Sequence, residues 1–231
     1  SSLENIGICY LKLRDPFQAL DNLKKAQALY LENFPEDNNP YLANCLNQIG
    51  HAYRDQGKYQ KALEYFKKAL DQEIMTKGPE HQETANIYNN IGWVHYKLNQ
   101  HEEALVNYRK SLSIRSNLFG ENHPDVAICN NNIGLVYKAM NDHNKALEYY
   151  KKALSIATKT YGEEHPEVAI YHSNIGRLLR VMGNHSKAVY HIQQALHIQR
   201  KTLGEYHSET VSTSEYLQEL LKRNSNRKSG N

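Results

Sequence analysis

The side chains of this chain best suited to chemistry are its 12 histidines and three cysteines, and their spacing decides what they can do. Cys9, Cys45 and Cys129 stand far apart, so they form neither a CxxC metal pair nor a disulfide framework. That usage fits a reducing, cytoplasmic setting. His81, His123, His165 and His207 recur every 42 residues, and His101, His143 and His185 follow the same step. Metal ligands must converge to about 2 Å from one ion, which residues spaced one per repeat do not do. Both sets read as structural, the first at helix starts and the second at turns between helices. Cys45 and Cys129 share one repeat position and read as small packing residues. No HExxH, GxSxG, GxGxxG or GxxxxGK[ST] string occurs, and no nucleophile is paired with a base. The expectation is therefore no enzyme, no cofactor and no metal site.

The elements that carry these residues repeat. Ile-Gly occurs at Gly7, Gly50, Gly92, Gly134 and Gly176, spaced 43, 42, 42 and 42. Gly78, Gly120, Gly162 and Gly204 keep the step, as do Ala19, Ala62, Ala104, Ala146 and Ala188. Within one unit, Val126, Asn130, Ile133 and Tyr137 trace one helical face, and Ala146, Leu147, Tyr150, Ala153, Leu154 and Ile156 a second. Gly57, Asn99, Asn141 and Gly183 sit where the first helix must stop, as residues that tolerate the left-handed conformation. Small residues at Gly134 and Ala146 let the two helices approach, with Tyr137 and Tyr150 beside them. Each unit is a helical hairpin that must stack on its neighbours to bury its apolar face. The spacing predicts units near 1–42, 43–84, 85–126, 127–168 and 169–210, with a capping helix at 209–223 whose Leu217, Leu220 and Leu221 face inward. Residues 1–223 read as one array, and 224–231 as a disordered polar tail.

Composition narrows the partners. In 231 residues, 28 Lys+Arg against 25 Asp+Glu leave a net charge of +3, which makes no case for nucleic acid. Mean hydropathy of −0.75, without an apolar run of about 18 residues, excludes membrane insertion by a helix. The chain starts Ser1-Ser2-Leu3 and enters the pattern at once, which reads as a fragment of a larger protein.

The spacing of Tyr53, Gly57-Lys58-Tyr59, Ala62-Leu63, Phe66 and Ala69-Leu70 resembles the tetratricopeptide repeat. The 42-residue unit with Tyr161-Gly162-Glu163-Glu164-His165-Pro166-Glu167-Val168-Ala169 is similar to the kinesin light chain type of that repeat. Departures include Ile-Gly in place of the usual Leu-Ala, and Asn39-Pro40, His81-Gln82 and His207-Ser208 in place of His-Pro. The resemblance implies an all-α fold, a right-handed α-solenoid of helix-turn-helix hairpins with a C-terminal capping helix. It also implies a protein-protein interaction scaffold whose first helices line a concave, peptide-binding groove.

Transferred to this sequence, the groove stripe lies six and three residues before each Ile-Gly glycine and one, four and five after it. The earlier places hold Asn44, Asn47, Asn86, Asn89 and Asn131, whose amides would bond the backbone of an extended peptide or bridge neighbouring hairpins. The later places hold Lys12, Arg54, Lys97, Lys138, Arg177, Arg180, Lys222 and Arg223 against Asp55 and Glu219, a basic excess that favours an acidic peptide, extended or briefly helical. Trp93 and Tyr96 add the aromatic types common at interface hot spots. The lysine–arginine clamp by which some of these domains hold a chaperone's C-terminal carboxylate is replaced here by asparagine and glutamine. The alternatives are a structural spacer that self-associates, and the regulatory sensor module of a multidomain enzyme or signalling ATPase.

Overall fold

The computed structural model describes residues 2–34, 39 and 41–228, with side chains as far as Lys222. Pro40, the Arg223 side chain and tail residues 229–231 lie outside the described residues. Eleven α-helices and no strand occur among the described residues. They fall into two compact units, Ser1–Leu118 and Phe119–Asn231. The first holds three hairpins: α1 (Ser2–Lys12) with α2 (Pro16–Asn33), α3 (Leu42–Asp55) with α4 (Tyr59–Lys77), and α5 (Gln82–Lys97) with α6 (His101–Phe119). The second holds α7 (Pro124–Ala139) with α8 (His143–Tyr161), α9 (Pro166–Val181) with α10 (His185–Leu203), and the single helix α11 (Ser208–Lys228).

Each Ile-Gly glycine is the floor on which one large side chain of the partner helix rests. A Cβ at Gly50 would lie 2.5 Å from the Phe66 ring, at Gly134 2.6 Å from Tyr150, and at Gly176 2.7 Å from Ile192. The large residue stands sixteen positions after the glycine, so the two helices of a hairpin close around a fixed contact. Phe66 and Tyr150 are fully buried there. Tyr137, expected beside the same glycine, instead stacks on Tyr149 at 5.5 Å.

The first helices end as the sequence requires. Asn99 and Asn141 take positive φ at 58° and 61°, and Arg14 does the same at 59°. The second helices end at glycines with φ near 90°. The histidine ladder then opens the next helix. Nδ1 of His81, His123, His165 and His207 accepts the backbone N–H two residues on, at 3.2–3.3 Å. Asn39 holds the same place in the preceding unit, and its Oδ1 accepts from Tyr41 N at 3.2 Å. These side chains satisfy a helix-start donor that would otherwise lack a partner.

Helix α11 buries Thr210, Thr213 and Leu220, one stripe at helical spacing. Leu221, expected inward, is 46% exposed, because it stands about 100° around the helix from Leu220. The backbone stays helical to Lys228, beyond the boundary read at Arg223. Once formed, a helix extends at little cost through Lys, Arg, Asn and Ser.

Candidate functional site

The first helices carry the candidate stripe, and the structure gives its asparagines partners inside the fold. Asn90 Nδ2 donates to Asn47 Oδ1 at 3.1 Å in the first unit, and Asn174 Nδ2 to Asn131 Oδ1 at 2.8 Å in the second. Both bonds join the residue three before one glycine to the residue two before the next, so the pair is a repeated bridge between successive first helices. Asn44 Nδ2 donates to Glu4 Oε1 at 2.6 Å, and Tyr30 Oη donates to the other Glu4 oxygen. Asn86 Nδ2 donates to Glu83 at 3.1 Å, while its Oδ1 accepts from Arg115 Nη2 at 2.7 Å. Asn89 is half-buried on the same helix. These distances describe the bridging role that the asparagine recurrence left open beside peptide binding.

The cations and aromatics form two clusters, one in each unit. In the first, Trp93 packs against the core, edge-on to Tyr59 at 5.8 Å. Arg54 and Lys97 lie over its ring at 5.5 and 5.6 Å. Arg54 also pairs with Asp55 at 2.8 Å. Tyr96 is turned toward His101, 6.2 Å between ring centres. In the second unit Arg177 and Arg180 lie over Tyr216 at 4.5 and 5.4 Å, and Arg180 reaches Glu219 at 3.4 Å. Lys138 is half-buried on α7 beside Arg177 of α9. Burial first, then the Arg177 charge, holds the Lys138 ammonium below the ordinary lysine range. Two cations of successive first helices therefore repel each other on one face.

Three residues of this surface lay outside the sequence reading. Tyr216 stands two residues before the last repeat position, off the stripe offsets. Glu4 is a buried carboxylate at the place where later units carry Asn47, Asn89 and Asn131. Arg115 is buried twenty-three residues after its glycine, where Glu73 and Gln199 are its counterparts. The signal for the last was present: polar residues recurring in register on an otherwise apolar helix face.

Among the described residues no three His, Cys, Asp or Glu side chains come together to hold a metal ion. No described helix is long and apolar enough to cross a membrane. Cys45 is buried, donates to Leu23 O at 3.4 Å, and burial pushes its thiol up to about 12. A thiol so placed is inert as a nucleophile near neutrality.

The tetratricopeptide repeat family model matches residues 1–72, 53–117, 100–159 and 130–201, almost the full repeated region. The chain belongs to the tetratricopeptide repeat family. Solved structures share this all-helical solenoid fold. BtubC (BKLC) of P. vanneervenii is 24% identical over 89% of this chain and 81% of its own, with a TM-score of 0.76. A Podosopora anserina protein named after kinesin light chain and built of nearly identical TPR-like repeats is 19% identical over 87% and 95%, TM-score 0.74. Aspartyl phosphate phosphatase F of Bacillus subtilis is 17% identical over 93% of this chain and 53% of its own, TM-score 0.78. A search of curated proteins finds no match. The tetratricopeptide hairpins of this chain are thus of the kinesin light chain type in both unit length and fold.

Proposed function

We propose that this tetratricopeptide repeat chain is a protein-protein interaction scaffold whose first-helix faces hold an acidic peptide segment, extended or briefly helical, as part of a larger protein. The observation that carries the reading is the Lys138–Arg177 pair. Two cations held close on one face, one partly desolvated, are relieved by a carboxylate placed between them. The Arg54–Trp93–Lys97 cluster in the first unit offers the same chemistry with an aromatic surface beside it. The asparagine bridges fix the spacing of the helices that present these cations. They hold the face rather than contact the ligand.

Charge reversal tests the reading. A fluorescent acidic peptide with one aromatic residue is titrated onto the native chain and onto Lys138→Glu/Arg177→Glu. The expected result is at least about tenfold weaker binding by the variant, and a native affinity that falls as salt rises. Equal affinity for both proteins, or an affinity independent of salt, overturns it.

A further inference from the structure

Twenty-three residues after each glycine, a side chain of the second helix points between the first helices. In the third hairpin that residue is Arg115, 5% exposed, and it reaches Asn86 on the candidate face at 2.7 Å. In the fifth it is Gln199, 7% exposed, and its register partner is Ile170, which has nothing to offer an amide. Gln199 Oε1 is accordingly buried without a hydrogen-bond partner. It lines an open pocket of about 470 Å³ enclosed by α9, α10 and α11 within the second unit.

The pocket exists because side chains were trimmed around it. Ser173 stands where earlier units carry Asn47, Asn89 and Asn131, and Ser212 where they carry Asn44, Asn86, Ile128 and Ile170. The asparagine bridge that would follow Asn131–Asn174 is therefore missing at Ser173. Tyr216, at the far end of that absent bridge, lies under Arg177 instead. The lining carries one cation, Arg177, and one anion, Glu209, so it does not select a charge. What it lacks is a donor for Gln199.

We propose that this pocket receives the primary carboxamide of an asparagine or glutamine side chain from a bound partner, whose NH₂ donates to Gln199 Oε1. The pairing restores the amide-to-amide contact that the fold makes for itself at Asn47–Asn90 and Asn131–Asn174. A carboxylate has no proton to donate there near neutrality. A buried acceptor left unpaired costs more than a hydrogen bond gains, which gives the pocket its selectivity. In its natural setting the amide arrives on a peptide, and to that extent the inference rests on the scaffold reading above.

The test isolates the pocket from the acidic-peptide reading by using single capped amino acids. N-acetyl-glutamine N-methylamide and its glutamate counterpart are titrated onto the ¹⁵N-labelled chain. Saturable shifts are expected at the Gln199 side-chain amide and at Ser173 and Ser212 with the glutamine probe, and binding about tenfold weaker with the glutamate probe. Ile170→Asn is expected to abolish the shifts, because the new amide serves Gln199 as Asn86 serves Arg115. Ile170 is 44% exposed, so the change spares the core. Gln199→Leu is expected to abolish them as well, and Lys138→Glu to leave them unchanged. Equal response to both probes, persistence in Ile170→Asn, or no saturable shift, as for a water-filled crevice, overturns the proposal. The acidic-peptide reading stands or falls separately, since its charge-reversal variants leave the pocket intact.

Discussion

His51 lies in the first unit with its Nε2 3.3 Å from Asn90 Nδ2 and its ring edge-on to Phe66 at 5.2 Å. Asn90 donates to Asn47 from the same amide, so a neutral His51 belongs to the bridge between α3 and α5. Burial first, then the Arg54 charge, lowers its pKa from 6.5 to about 4. In the second unit His191 falls to about 4 through burial and then the charge of His172, whose Nδ1 is 2.8 Å away. Both groups bind a proton more readily unfolded than folded. Between about pH 6.5 and 4 the unfolded chain therefore holds the extra protons, and stability rises with pH across that window. The contribution is complete above 6.5 and lost as pH falls toward 4. Urea denaturation at several pH values is expected to show this fall, and His51→Gln to remove about 2 kcal/mol of it while keeping an acceptor for Asn90. A native curve that matches the variant at every pH contradicts the assignment.

At the scale of the element, the glycine contact decides how closely a hairpin closes. Gly134→Ala places a methyl 2.6 Å from the Tyr150 ring and 3.3 Å from Ala146 O. Alanine gains about 1 kcal/mol in helix propensity, and overpacking against a fully buried ring costs about 1–3 kcal/mol. Since Tyr150 has no space to yield, the net expectation is destabilisation of about 1–2 kcal/mol by denaturant titration. Tyr150→Leu in the same chain is expected to recover part of it, and strict additivity of the two changes contradicts the contact. The hairpins and their 42-residue step were legible in the sequence because the glycine, alanine and histidine ladders keep one register. The residue resting on the glycine was not, because Leu23, Phe66, Tyr108, Tyr150 and Ile192 share size rather than identity. The histidines were legible as structural, and the structure adds that the ring nitrogen is the helix cap. The asparagine recurrence was visible too. Its pairing across successive helices depends on how hairpins stack, which spacing within one helix does not encode. The Lys138–Arg177 approach and Tyr216 were hidden for the same reason.

Across the whole molecule, a repeat array is stabilised by hairpin interiors and by nearest-neighbour faces, so a defect at one end spreads by steps. Helix α11 covers the last hairpin through Leu220, 3% exposed, with Thr210 and Thr213 on the same stripe. Leu220→Asp buries a carboxylate there without a partner and undocks the helix from α10. The apolar face beneath is then open to water, and α9 with α10 lose the neighbour that completes their burial. Hydrogen exchange is expected to rise first in α9 to α11, while α1 to α4 keep native protection under mild conditions. The pocket at Gln199 is lost with the cap, because Ser208 and Ser212 form its wall. A variant that instead loses protection evenly along all its helices would show a single cooperative block, and the stepwise account of this fold would fail.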